Sequence, residues 1–151
     1  MVSEDKVSKK YTVLVVDDEP ENVKFLQRTL RKNYNVVGKY SPFEALEYLK
    51  ETYDDVALII SDQRMPDMTG TEFMAKSIES HPYTVKVLLT GYTDIEAMID
   101  AINRCELFYY VNKPWDPSQV HEVAEKAIER YELNLLKNYY YFTHHKQKNK
   151  E

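Results

Sequence analysis

Five short, apolar, β-branched runs punctuate the chain: Val13-Leu14-Val15-Val16, Val36-Val37, Val56-Ala57-Leu58-Ile59-Ile60, Val85-Lys86-Val87-Leu88-Leu89 and Leu107-Phe108-Tyr109-Tyr110-Val111. The first, third and fourth are nearly continuous in apolar character, as strands buried on both faces of a parallel sheet are. Between the runs, apolar residues recur three or four positions apart, at Val23/Leu26/Leu30, Phe43/Leu46/Leu49, Phe73/Ala75/Ile78 and Ile95/Met98/Ile99/Ile102. That spacing predicts helices with one core-facing stripe. Asp18-Glu19-Pro20 reads as the opening of the first helix. Ser41-Pro42-Phe43-Glu44 places a cap, a proline at the first helical position and an early acid before the second. Strand and helix alternate five times, which predicts an α/β fold: a doubly wound parallel sheet with right-handed crossovers and helices on both faces.

After Pro117 nothing breaks a helix. Ile128, Tyr131, Leu135, Asn138 and Phe142 continue at spacings of 3, 4, 3 and 4, a short coiled-coil-like seam with one polar position. The pattern divides the chain into a domain over 11–133 and a helical linker or tail over 134–151. The Lys-rich end from His144 onward is expected to fray or to be disordered. Tyr139-Tyr140-Tyr141-Phe142 would then form an apolar patch suited to burial against a partner chain.

Composition narrows the function classes. With 151 residues the chain suits one domain with a real core. Twenty Lys and Arg against 25 Asp and Glu give a net charge of −5, so no global basic field exists to draw nucleic acid or an anionic membrane. A single cysteine, Cys105, excludes a disulfide framework, and without a basic cluster beside it the thiol reads as inert. No apolar run approaches the roughly 20 residues of a membrane span. The amino terminus lacks the apolar stretch of a signal peptide. The expectation is a soluble, cytoplasmic domain. His81, His121, His144 and His145 show no metal-ligand spacing, and Trp115 reads as a packing residue.

In an open α/β sheet the chemistry sits beyond the carboxyl ends of the strands. The first strand delivers Asp17-Asp18-Glu19 there, the third Ser61-Asp62, the fourth Thr90-Gly91 and the fifth Asn112-Lys113-Pro114. Clustered carboxylates repel one another unless a cation neutralises them, and hard oxygen ligands suit Mg²⁺. Lys113 adds a positive charge placed to hold a second anion. This set fits phosphoryl transfer onto a carboxylate. Asp17 and Asp18 alone could be helix caps, but caps do not require a lysine and a threonine opposite them.

The segments Val15-Val16-Asp17-Asp18-Glu19-Pro20, Ser61-Asp62-Gln63-Arg64-Met65-Pro66-Asp67-Met68-Thr69-Gly70, Leu88-Leu89-Thr90-Gly91 and Tyr110-Val111-Asn112-Lys113-Pro114-Trp115 resemble the receiver domains of two-component response regulators. The resemblance implies a CheY-like, flavodoxin-like (βα)5 fold with strand order 2-1-3-4-5. It implies Asp62 as the phospho-acceptor, served by a sensor histidine kinase or phosphotransfer protein. Mg²⁺ would be held by Asp18 directly, by Asp17 mainly through water, by Asp62 and by the backbone carbonyl of Arg64. Thr90 would bind the phosphoryl oxygen and draw its loop inward, and Lys113 would pair with the phosphoryl group. The Lys113–Pro114 bond would be cis, and Tyr110 would turn inward as Thr90 moves. Signalling would pass to an output domain or target protein. A homodimer through the fourth helix, fifth strand, fifth helix and the extended last helix is a further expectation. Arg64 and Tyr92, both large, would border the approach of a hydrolytic water.

Two other classes compete. A Mg²⁺-dependent aspartyl-phosphate phosphatase fits the acids, but that family resembles Asp-x-Asp after the first strand, and here the acids are adjacent. A flavin carrier conflicts with three acids where a phosphate cradle should be. The stretch beyond the receiver is too short for an output domain, so the chain reads as a stand-alone receiver or as part of a longer protein. Leu89-Thr90-Gly91-Tyr92 and Asn112-Lys113-Pro114-Trp115-Asp116 also look similar to receivers attached to cyclic-dinucleotide phosphodiesterases.

Overall fold

The computed structural model describes residues 9–91 and 95–148. Tyr92, expected to border the hydrolytic water, lies outside them. Ten elements alternate along the chain: β1 (Thr12–Val16), α1 (Pro20–Leu30), β2 (Asn35–Lys39), α2 (Pro42–Glu51), β3 (Val56–Asp62), α3 (Gly70–Ser77), β4 (Val85–Thr90), α4 (Ile95–Arg104), β5 (Tyr109–Asn112) and α5 (Pro117–Lys148). The sheet is parallel throughout, in the order β2-β1-β3-β4-β5.

Side-chain alternation along the strands sorts the core into two layers. Val13, Val15, Leu58, Ile60, Val87 and Leu89 pack with α1 and α5. Leu14, Val16, Ile59 and Leu88 point the other way, onto α2, α3 and α4. β1, β3 and β4 are buried along their whole lengths, as their unbroken apolar runs predict. Lys86 is the exception in β4: it is buried, its ammonium donates to the Thr84 carbonyl at 3.1 Å, and burial lowers its pKa.

Helix starts follow the sequence with one difference. Ser41 caps α2 by accepting from the Glu44 amide. At α1 the capping position belongs to Glu19, whose side chain makes no capping bond; Asp17 accepts from the Glu19 amide instead.

Two expectations about apolar stripes need correction. On α4, Ile95, Ile99 and Ile102 are 66%, 56% and 62% exposed, whereas Ala101 and Cys105 are buried. Ala101 and, just past the helix, Cys105 face the core, while these three isoleucines stand in solvent. On α5, the expected seam splits. Ile128 and Tyr131 are buried in the domain's own core, where Tyr131 meets Tyr11 edge-on at 5.6 Å. Only beyond Tyr131 does the stripe become exposed, at Leu133, Leu135, Leu136, Tyr139, Tyr140 and Phe142. No helix among the described residues is long and apolar enough to cross a membrane.

Candidate functional site

The carboxyl ends of β1, β3, β4 and β5 open on one side of the sheet. Asp17 follows β1 and is fully buried; Asp18 beside it is exposed. Asp62 ends β3. Asp17, Asp18 and Asp62 offer carboxylate oxygens within 4.8 Å of one another, and among the described residues this is the group of acidic, His or Cys side chains able to hold a metal. Lys113, just past β5, donates from Nζ to Asp62 Oδ1 at 3.1 Å. The Lys113–Pro114 bond is cis.

Each acid is fixed locally. Asp17 Oδ1 accepts from the Glu19 amide and Oδ2 from Asn22 Nδ2, both at 3.0 Å. Burial nevertheless pushes its pKa up to about 6, with the neighbouring Asp62 adding to the rise. Asp62 Oδ1 accepts from the Gln63 amide at 2.9 Å. Burial raises the Asp62 pKa, and the Lys113 ammonium works against that rise. Two buried acids, Asp17 and Asp62, whose pKa values burial raises, are the electrostatic condition a divalent cation relieves. The three hard carboxylate donors suit Mg²⁺ in kind.

The loop after β3 holds Asp62 from below. Gln63 is buried; its Oε1 accepts from the Thr71 amide at 3.0 Å, and its carbonyl accepts from the Gly70 amide at 3.0 Å. A Cβ on Gly70 would stand 2.2 Å from the Asp62 carbonyl oxygen, so only glycine fits there. Asp67 takes the left-handed region at φ 72° to close the turn.

Thr90, at the end of β4, donates to Asn112 Oδ1 at 3.1 Å, and its carbonyl accepts from the Lys113 amide at 3.0 Å. Tyr110 is 37% exposed and stacks on Tyr109 with centroids 6.0 Å apart. Arg64 is exposed two residues beyond Asp62. Cys105 is buried and its pKa is pushed up to about 11 by burial, which makes the thiol unreactive.

Asn22 is the participant that motif reading missed; Gln63, Gly70 and Asn112 stood inside the quoted segments, but the contacts they make did not show there. Asn22 lies one turn into α1, on the face that returns toward Asp17. Gly70, one of only three glycines in the chain, was the visible hint.

Residues 13–125 match the sequence profile described as "Response regulator receiver domain". The chain belongs to that family. It is 38% identical over 121 residues to the "Hydrogenase transcriptional regulatory protein HoxA" of Cupriavidus necator, covering 80% of this chain and 25% of that protein. A solved structure of a protein titled adenylate cyclase from Rhodopirellula baltica superposes with a TM-score of 0.80 at 32% identity, covering 84% of this chain and 93% of that one. A protein from Neptuniibacter caesariensis gives 0.77 at 40% identity, covering 83% and 92%. The receiver spans about a quarter of the curated relatives it matches.

Proposed function

We propose that this receiver accepts a phosphoryl group on Asp62 and relays its presence to a partner. The observation that carries the reading is the Lys113 ammonium 3.1 Å from an Asp62 oxygen, on the rim of a three-carboxylate cluster. An Asp62 carboxylate oxygen would attack the phosphorus of a phosphohistidine on a sensor kinase or phosphotransfer protein. The P–N bond breaks, and its electron pair returns to the imidazole nitrogen, which takes a proton from solvent. Lys113 opposes the rise that burial gives the Asp62 pKa and then offers the same ammonium to the new phosphoryl oxygens. Asp17, Asp18, Asp62 and the Arg64 backbone carbonyl would hold Mg²⁺, which when bound neutralises charge on the transferring oxygens.

Thr90 gives the switch its first move. Its hydroxyl is spent on Asn112 in this state; a phosphoryl oxygen offers a stronger, charged acceptor. Turning to it would free Asn112 and make room for Tyr110 to swing inward. The face reached is apolar: Ile95, Ile99, Ile102 and Tyr109 are exposed around α4 and β5. An output domain, a target protein or a second copy of this chain would cover it, with Leu136 and Tyr139 of α5 extending the contact. No contact with nucleic acid is needed for the relay, and the reading places the protein in the cytoplasm.

Asp62→Asn tests the reading. The wild type should gain one phosphoryl group from acetyl phosphate by intact mass, and the variant none, with unchanged circular dichroism. Phosphorylation of the variant would move the acceptor elsewhere. In the same assay Arg64→Ala should shorten the phosphoryl lifetime a few-fold by opening the side of in-line water approach; an unchanged decay would leave Arg64 as partner-facing surface.

A further inference from the structure

We infer that Trp115 is a positioning residue for the receiver's lysine: its indole face holds the Lys113 ammonium against Asp62. The inference rests on the reading of Asp62 as acceptor. Lys113 Nζ lies 5.4 Å from the Trp115 ring centroid while donating to Asp62 at 3.1 Å, so one ammonium sits between a carboxylate and a π face. A lysine has a long flexible stem and a strongly hydrated head, and its partly exposed side chain here pairs with one oxygen of Asp62. The indole supplies the missing restraint, because an ammonium within about 6 Å of an aromatic centroid is attracted by the ring quadrupole, most of all by Trp.

The ring is itself held. Trp115 packs on Phe25 of α1 with centroids 5.8 Å apart and, half-buried, joins the edge of the core layer that holds α1 and α5. Its Nε1–H is buried and meets no acceptor among the described residues. A buried donor without a partner is costly, so hydrogen bonding does not account for an indole at this place; a phenyl ring would fill it without that cost. What the indole adds over phenyl is a larger, more electron-rich face, and the ammonium lies over it. Phe25, Trp115, Lys113 and Asp62 thus form one continuous stack from the α1 surface to the acceptor.

Trp115 is the sole tryptophan of the chain, so biosynthetic incorporation of fluorotryptophans alters this ring alone. Fluorination drains the π face with little change in size. The rate of phosphorylation by acetyl phosphate at saturating Mg²⁺ should fall stepwise with the number of fluorines, about two- to fivefold across the series. The melting temperature should stay level. Trp115→Phe should keep part of the rate and Trp115→Leu should lose more. A rate independent of fluorine content overturns the inference while leaving the acceptor reading intact, as does a rate that falls only in step with the melting temperature. Absence of phosphorylation in the unlabelled protein removes both.

Discussion

The crevice at the strand ends and the α4–β5 face beside it are built on opposite plans. In the crevice nearly every polar group is bound to a named neighbour: Asp17 to Glu19 and Asn22, Asp62 to Gln63 and Lys113, Thr90 to Asn112. Asp17, Asp62 and Thr90 stand at the ends of strands buried along their whole lengths, which fixes the backbone beneath them. On the α4–β5 face the large side chains are apolar and exposed. There the domain leaves area uncovered that a partner can bury, at roughly 25 cal/mol per Å². Chemistry requires positioning, and association requires spare apolar surface; one small domain provides each in a separate place. The Thr90–Asn112 hydrogen bond is the short link between them, because it ties the crevice end of β4 to the exposed strand β5.

The strictest constraint in the crevice is Gly70, and breaking it should give the largest effect on stability. Gly70→Ala drives a methyl group to 2.2 Å from the Asp62 carbonyl. Neither backbone can yield without moving Asp62, so the expected cost is about 2–3 kcal/mol. Denaturant unfolding reads the cost directly, and the phosphorylation rate should fall with it. A variant as stable as the wild type would show that the loop after β3 is not the rigid floor of the site.

Asp17 sharpens the comparison through pH. Its carboxyl keeps its proton up to about pH 6 in the folded protein, whereas an unfolded aspartate loses it near pH 3.9. Between those values the folded state binds more protons, so without metal stability falls as pH rises through this window. The loss is of order 2 kcal/mol, complete above about pH 6 and absent below about pH 4. Burial raises the Asp62 pKa too, which adds in the same direction. Urea midpoints in EDTA at pH 4 and pH 6.5 should show the drop. Asp17→Asn should shrink it, and Mg²⁺ should reverse part of it by binding the folded state alone. A wild-type midpoint that rises with pH, or a drop equal in the Asn variant, would remove Asp17 as its source.

The sequence made these two regions legible to different degrees. The strands and the crevice could be read because buried parallel strands leave unbroken apolar runs, and because Asp18, Asp62, Thr90 and Lys113 stand at their ends; the strand order came only with the family resemblance. The cis Lys113–Pro114 bond was expected only through the family resemblance. The faces of α4 and α5 could not be read the same way. Ile95, Ile99 and Ile102 repeat with helical period, but periodicity reports that a helix has an apolar side, not that the side is covered. The smaller residues Ala101 and Cys105 fit the space beside Phe73 and Leu88, and volume across a packed interface is a tertiary quantity. The same holds for Ile128 and Tyr131, where the seam pattern runs unbroken from buried positions into exposed ones. Asn22 escaped notice, and Asn112 was read only as part of its motif, because a single amide carries no spacing; only the approach of two chain segments gives it a role.

The smallest expected effect is also the one that checks the second region on its own terms. Ile99→Ser and Leu136→Ser remove exposed side chains, 56% and 64% accessible in the isolated chain. A surface change of this kind shifts folding stability by no more than about 0.5 kcal/mol. The same substitutions should matter once the face is covered. If a second copy of the chain covers it, sedimentation of the phosphorylated protein should show a dimer that either variant weakens. Thermal melts of the dilute, unphosphorylated proteins should coincide with the wild type. A destabilisation above 1 kcal/mol in the dilute variants would mean these side chains already pack within the domain, and the contrast between a fixed crevice and an uncovered face would fail at α4 or at α5, whichever variant shows it.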